Sequence, residues 1–345
     1  MPDSSPLRIL DASANRATEG LRVVEDYVRF VLDDDLLTRL LKQARHNLAI
    51  ACNKLLGNDR YPMRDTQQDV GTEITTESEA KRVDAWDVCI ASLERTKQSL
   101  RSLEEFSKVC SPTLASEFES LRYRLYTLEK SLLITRTSQS RLEGVTLCTL
   151  MDGQESEAAF TSLVEKLIAD GVGMIQLRDK QLDDRQLLER AKLLKKLAPS
   201  ASQLTTLCII NDRPDIAAAA NADGVHLGQD DLDVKSARAI LGPRKLIGVS
   251  THSIDQARQA VLDGANYLGA GPTFPSSTKN FDANEIEQAG IDYLRQVASE
   301  VTLPTFAIGG IDVDNLSQVL ETGTKRIAVS SAASSASELL SLLKN

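Results

Sequence analysis

Met174-Ile175-Gln176-Leu177-Arg178-Asp179-Lys180 is an apolar run that ends abruptly in polar and charged side chains. It reads as a buried strand whose last residues emerge at a rim. Arg178 and Lys180, two positions apart, leave such a strand on the same side. In a barrel of parallel strands, the C-terminal strand ends form the active-site face. Two fixed cations there suit a heavily charged anion, because Arg grips phosphate oxygens bidentately. Taken alone, the motif is equally readable as a salt-bridged strand terminus.

Working outward, the pattern from Gly144 onward alternates short apolar runs with helical stretches. The predicted strands are 145–150, 173–177, 206–210, 224–227, 246–249, 267–270, 305–308 and 326–330. Helices are expected between them, at 157–169, 184–197, 234–241, 254–263 and 313–321. Eight β-α units in about 200 residues reach the size of a (β/α)8 barrel. An open doubly wound sheet is the runner-up. Asp170-Gly171 and Asp263-Gly264 precede strands, where Gly serves as a helix C-cap.

The residues before the barrel read differently. Runs 6–33, 36–56, 81–110 and 112–136 carry apolar residues at three- and four-residue spacing, as in Leu121, Leu125, Leu128 and Leu132. A polar loop is expected at 58–79, and 135–141 has the composition of a linker. The fold class is therefore α/β, with an all-α domain at 1–138 followed by a (β/α)8 barrel at 139–345.

Length and composition agree with this division. A chain of 345 residues suggests about two domains. Hydrophobic and charged contents of 42% and 26% are ordinary for a globular protein. A net charge of −9 argues against a general nucleic-acid binder. No apolar run is long enough to span a bilayer, and the N-terminal residues lack a signal-peptide pattern. A cytoplasmic location is expected. The five scattered cysteines lack metal-ligand spacing and read as buried thiols in a reducing compartment.

Polar residues follow almost every predicted strand: Asn211-Asp212-Arg213, His226-Leu227-Gly228-Gln229-Asp230-Asp231, Ser250-Thr251-His252 and the long run Gly271 to Lys279. Gly309-Gly310 after the seventh strand and Ser330-Ser331 after the eighth occupy the usual phosphate place of this fold. Asp212 and Asp231 form the expected Mg²⁺ pair, since this hard cation takes one or two carboxylates plus phosphate oxygens. Asp230 competes with them but reads as a helix-capping acid. Asp212 could instead pair with Arg213 or cap the helix at Pro214. Ser276, Ser277, Thr278 and Lys279 read as a mobile lid. Ser250 has no readable triad and is taken as a hydrogen-bond donor to substrate, and His226 as structural. Two dissimilar phosphate sites imply two phosphorylated small-molecule substrates. Neither nucleic acid nor membrane is expected as a partner, and a homo-oligomer is left open.

Together these motifs closely resemble the thiamine-phosphate synthase family, over roughly residues 140–345. The resemblance implies condensation of hydroxymethylpyrimidine diphosphate with hydroxyethylthiazole phosphate, or its carboxylated form, releasing pyrophosphate. It implies that Gln176, Arg178, Lys180 and Asn211 hold the diphosphate and that Asp212 and Asp231 carry Mg²⁺. Ser250 and Lys279 would also contact that substrate and, with Arg178, be catalytic. Ser276, Ser277, Thr278, Gly309, Gly310, Ser330 and Ser331 would hold the thiazole phosphate. A thiazole tautomerase-like relative, or a barrel kept as a ligand-binding scaffold, would not need the charged strand ends.

In the front domain, Arg16, Glu19, Arg22 and Glu25 recur every three residues. They read as a salt-bridge ladder, or as a polar pocket to which Arg45, His46 and Arg64 contribute. This domain is similar to the helical extension of some bacterial thiamine-phosphate synthases, for which pyrimidine phosphorylation has been suggested. It has no Gly-rich phosphate loop, so no kinase activity is assigned.

Overall fold

The computed structural model describes residues 5–57, 81–198, 206–275 and 283–344. The chain forms two compact units, Met1–Leu132 and Leu133–Asn345. The predicted polar loop at 58–79 and the lid at 276–279 lie outside the described residues.

The first unit is helical. α1 (Ser5–Tyr27) continues into a π-helical turn, Val28–Leu32, followed by α2 (Asp35–Leu56), α3 (Ala85–Cys110) and α4 (Pro112–Arg141). Leu10, Ala14, Ala17, Leu21, Val24 and Val28 are all buried, the stripe that a 3.6-residue period lays on one helix face. Asp34 and Asp84 start α2 and α3 by accepting from the backbone N–H of Leu37 and Asp87. α1 and α3 touch closely at Gly20, where an added Cβ would lie 2.3 Å from Thr96 Oγ1.

The expected linker at 135–141 is not a linker, because it forms the last turns of α4. Its hydroxyl-rich composition is misleading. Thr137 Oγ1 donates to the Leu133 carbonyl within the helix, and Ser138 Oγ accepts from Asn266 Nδ2 at 3.0 Å. Arg141 donates to the Arg244 carbonyl and Gln139 to that of Thr302, so this end of α4 belongs to the second unit. The boundary expected after residue 138 thus falls inside a helix, whereas the compact units divide at Leu132.

The second unit is a closed parallel barrel in sequential order, with β8 hydrogen-bonded to β1. Its strands are β1 (Leu147–Met151), β2 (Met174–Leu177), β3 (Leu207–Asn211), β4 (Gly224–Leu227), β5 (Leu246–Thr251), β6 (Tyr267–Ala270), β7 (Thr305–Ile308) and β8 (Ile327–Val329). The intervening helices are α5 (Glu157–Asp170), α6 (Asp184–Leu197), α7 (Pro214–Ala219), α8 (Val234–Leu241), α9 (Ile254–Asp263), α10 (Ala283–Glu300), α11 (Leu316–Leu320) and α12 (Ala336–Leu343). Gly171 and Gly264 end α5 and α9 in the left-handed conformation, as their Asp-Gly turns predict. Among the described residues, no helix is long and apolar enough to cross a membrane. Four cysteines are buried, but Cys110 at the end of α3 is exposed, against the expectation of uniformly buried thiols.

Strand parity positions the site. Cys148, Met174, Ile209, Leu246, Tyr267, Phe306 and Ala328 form one apolar cluster in the barrel. Two residues further along most of these strands, Leu150, Gln176, Asn211, Gly269, Ile308 and Ser330 line a cavity. Because side chains alternate with period two, the residue after next returns to the same face. The apolar layer is the floor, and the next layer is the cavity wall.

Candidate active site

The cavity, about 320 Å³, sits among the C-terminal strand ends. It brings together Gln176, Arg178, Lys180, Asn211, Asp212, Asp231, Ser250, Gly309, Gly310, Ser330 and Ser331. Every predicted site residue within the described chain lines it, leaving only Ser276, Ser277, Thr278 and Lys279 outside description.

Gln176 is 3% exposed at the base of this wall, on the short strand that Arg178 and Lys180 extend. Among the described residues, neither Arg178 nor Lys180 has an ion-pair partner within 4 Å. Between them, Asp179 turns away from the cavity. Its carboxylate accepts from the backbone N–H of Gly153, Gln181 and Leu182 at 2.7–2.9 Å. Burial pushes this carboxyl up, but the three donors outweigh it and hold it below its ordinary value.

Asn211 closes β3, and Asp212 follows in the left-handed region at φ 59°, its N–H donating to the His226 carbonyl at 2.8 Å. Asp tolerates this conformation better than most residues. The turn brings the Asp212 carboxyl beside that of Asp231, close enough for the two to interact. Burial, followed by the Asp231 carboxyl, pushes Asp212 up to about 6, against the opposing pull of Lys180 and Arg178. Asp231 Oδ2 in turn accepts from Gly228 N at 2.6 Å. The alternative partner for Asp212 is excluded: Arg213 is engaged by Asp184 and Asp215, at 2.5 and 2.7 Å. The expectation that Asp230 caps a helix also fails. Asp233 is the N-cap of α8, accepting from Ser236 N, and Asp230 borders the cavity instead.

The opposite wall is built from backbone. Gly309 and Gly310 have φ 102° and 62°, and an added Cβ at either would lie under 3 Å from the Pro272–Pro275 segment. That segment is strapped to the end of β7 by Thr273 N to Ile308 O at 2.9 Å and Phe274 N to Gly309 O at 3.0 Å. Glycine is required there by both conformation and space. Ser330 and Ser331 follow β8, where a 3-10 turn begins at Ser331.

Besides Asp230, three polar cavity residues escaped the sequence reading. His226, taken as structural, is buried yet reaches Ser250 Oγ with Nε2 at 3.0 Å. Gln229 donates to the Ser250 carbonyl, and His252 contacts the Gly271 carbonyl through Nδ1. Parity offered a signal for His226: it is in register with Asn211, a residue of the cavity wall.

Comparison with known proteins follows the division of the chain. The thiamine monophosphate synthase family matches residues 147–333, and the ThiD2 family matches residues 8–131. A thiamine-phosphate synthase of Rhodopirellula baltica is 44% identical over 335 residues, covering 94% of this chain and 88% of that protein. One from Synechocystis is 40% identical over 332 residues, covering 95% and 92%. A solved thiamine phosphate pyrophosphorylase from Pyrococcus furiosus is 32% identical, covering 58% of this chain and 95% of that one, with a TM-score of 0.49.

Proposed function

The chain belongs to the thiamine monophosphate synthase family, and from that premise we propose how its strand ends carry out the reaction. It condenses pyrimidine and thiazole moieties to thiamine monophosphate. The observation that carries the assignment of residues is the asymmetry of one cavity. Arg178 and Lys180, without an ion pair among the described residues, and facing carboxylates lie on the β2–β4 side, and two left-handed glycines with two serines lie on the β7–β8 side.

In this reading, Arg178 and Lys180 hold the diphosphate of the activated pyrimidine, with Gln176 and Asn211 as neutral partners. Asp212 and Asp231 fit Mg²⁺. Two hard carboxylates that repel one another would be relieved by a divalent cation, which they would hold together with phosphate oxygens of the substrate. The chemistry such a cation would supply is neutralisation of the charge that develops on the departing diphosphate. Arg178 and Lys180 stabilise the same charge from fixed positions, without reorganising during reaction.

The bond that breaks joins the pyrimidine methylene carbon to the diphosphate oxygen. The electron-rich aminopyrimidine supports the resulting benzyl-like cation. The bond that forms joins this carbon to the thiazole nitrogen. Gly309, Gly310, Ser330 and Ser331 hold the thiazole phosphate, so the nitrogen attacks from a pre-oriented pose. No protein nucleophile is needed, in keeping with Ser250 being bonded to His226, whose other ring nitrogen meets the Tyr267 hydroxyl. Substrate roles for Ser276, Ser277, Thr278 and Lys279 rest on the family resemblance alone.

The test is direct: supply purified protein with the pyrimidine diphosphate, the thiazole phosphate and Mg²⁺, and quantify thiamine monophosphate and pyrophosphate. Equal yields of both products are expected, with neither formed when a precursor is omitted. Folded protein that makes no product from authentic precursors overturns the reading.

A further inference from the structure

β4, β5 and β6 carry a polar file through an otherwise apolar wall. His226, Gly248 and Tyr267 are register partners across the three strands, and Ser250 pairs with Gly269 one layer above. Gly248 makes the file possible. A Cβ there would lie 2.1 Å from Tyr267 Cζ and 2.5 Å from His226 Nδ1, so the two rings meet in the space it vacates. Gly269 closes the other side, where a Cβ would lie 3.0 Å from His226 Cε1. The phenol is steadied in turn by Phe306, edge-on at 5.6 Å.

The contacts run in one line. Tyr267 OH lies 3.2 Å from His226 Nδ1, and His226 Nε2 lies 3.0 Å from Ser250 Oγ, which borders the cavity. Direction follows from the buried end. Tyr267 is 2% exposed within the apolar cluster, and a buried hydroxyl must place its hydrogen on an acceptor. Among the described residues, the polar atom that meets this hydroxyl is Nδ1 of His226, at 3.2 Å. A neutral imidazole that accepts at Nδ1 carries its proton at Nε2. Nε2–H then donates to Ser250 Oγ, which leaves the serine's own hydrogen for the cavity. Burial holds the Tyr267 phenol well above its ordinary pKa, so it stays a donor.

We infer that Tyr267 and His226 are positioning residues that fix the imidazole tautomer and thereby commit Ser250 to donating a hydrogen bond to the pyrimidine substrate. The opposite tautomer would make Ser250 donate to His226 and present only lone pairs to substrate. This rests on the synthase reading for its substrate, but the tautomer is a property of the protein alone.

With three histidines in the chain, ¹⁵N-histidine labelling of the full-length protein gives a readable spectrum, and His226→Gln assigns the signal. The expected pattern for His226 is a protonated Nε2 and an unprotonated Nδ1, and the reverse overturns the inference. In kinetics, Tyr267→Phe should lower kcat about tenfold, the scale of one hydrogen bond, with KM unchanged. The same change in a Ser250→Ala background should cost nothing further. An equal loss in both backgrounds makes Tyr267 merely structural and overturns the inference. Should Tyr267→Phe fail to fold, the wild-type spectrum decides. Wild-type protein unable to make thiamine monophosphate would instead sink the synthase reading, leaving the spectrum interpretable.

Discussion

The helical unit and the barrel rim are both crowded with charge, yet they treat it in opposite ways. In the helical unit, Glu25 is 3% exposed and accepts from Arg45 at 2.7 Å, with Arg22 at 3.5 Å. Glu104 is similarly buried between Arg122 at 2.7 Å and Arg101 at 2.8 Å, and Arg122 stacks over Tyr123. Each of these two carboxylates has cations of its own. Part of the expected ladder along α1 is therefore real, although it reaches to Arg45 on α2 rather than staying on one helix. In the cavity, Arg178 and Lys180 have no ion pair among the described residues, while Asp212 faces Asp231, a like charge. Matched charge holds helices together. Mismatched charge in a concave site marks a place for a ligand, which on the proposed reading is the substrate diphosphate and Mg²⁺.

Three substitutions separate the two kinds of charge. The largest effect is expected from Asp212→Ala, which should lower turnover by roughly 10²–10³-fold while the circular dichroism spectrum stays native. Near-normal turnover would refute the metal assignment. Next is Glu104→Ala, which leaves Arg122 buried without its carboxylate at a cost of about 3–5 kcal/mol. Urea unfolding followed at Trp86, the single tryptophan and a residue of α3, should show the loss with turnover unchanged. A loss of activity in folded Glu104→Ala would mean that this pair serves the site after all.

The smallest effect has a sign opposite to most mutations. Asp212 titrates near 6 in the folded state because of burial and Asp231, against about 3.9 in an unfolded chain. The folded protein then binds more protons between those values, so metal-free stability falls as pH rises through that window and stays low above it. Asp212→Asn removes the repulsion. In chelator at pH 7 the variant should melt roughly 2–4 °C above wild type, the shift that about 1 kcal/mol produces in a domain of this size. The difference should vanish near pH 4. Equal melting points at pH 7 would make the two carboxylates independent.

Much of this was legible from local pattern. The strand at 224–227 and the helix at 184–197 are found where periodicity places them, and the fixed two-residue alternation puts Arg178 and Lys180 on one side of a strand end. Composition misled where it stood in for geometry. Thr135 to Arg141 has the residues of a linker, yet hydroxyls that bond back to helix carbonyls are compatible with a helix. Asp230 and Asp233 are equally good caps on paper, and only the start of α8 chooses between them.

What the sequence determined by itself is what repeats locally: which segments are helix or strand, and which face of each is polar. Periods of 2 and 3.6 residues follow from backbone geometry alone. What only the tertiary structure decided is which strand ends meet. The Asp212–Asp231 encounter and the Tyr267–His226–Ser250 file join residues 19 to 41 positions apart. Their proximity depends on inter-strand register, and register is set once, for all eight strands together, when β8 closes on β1.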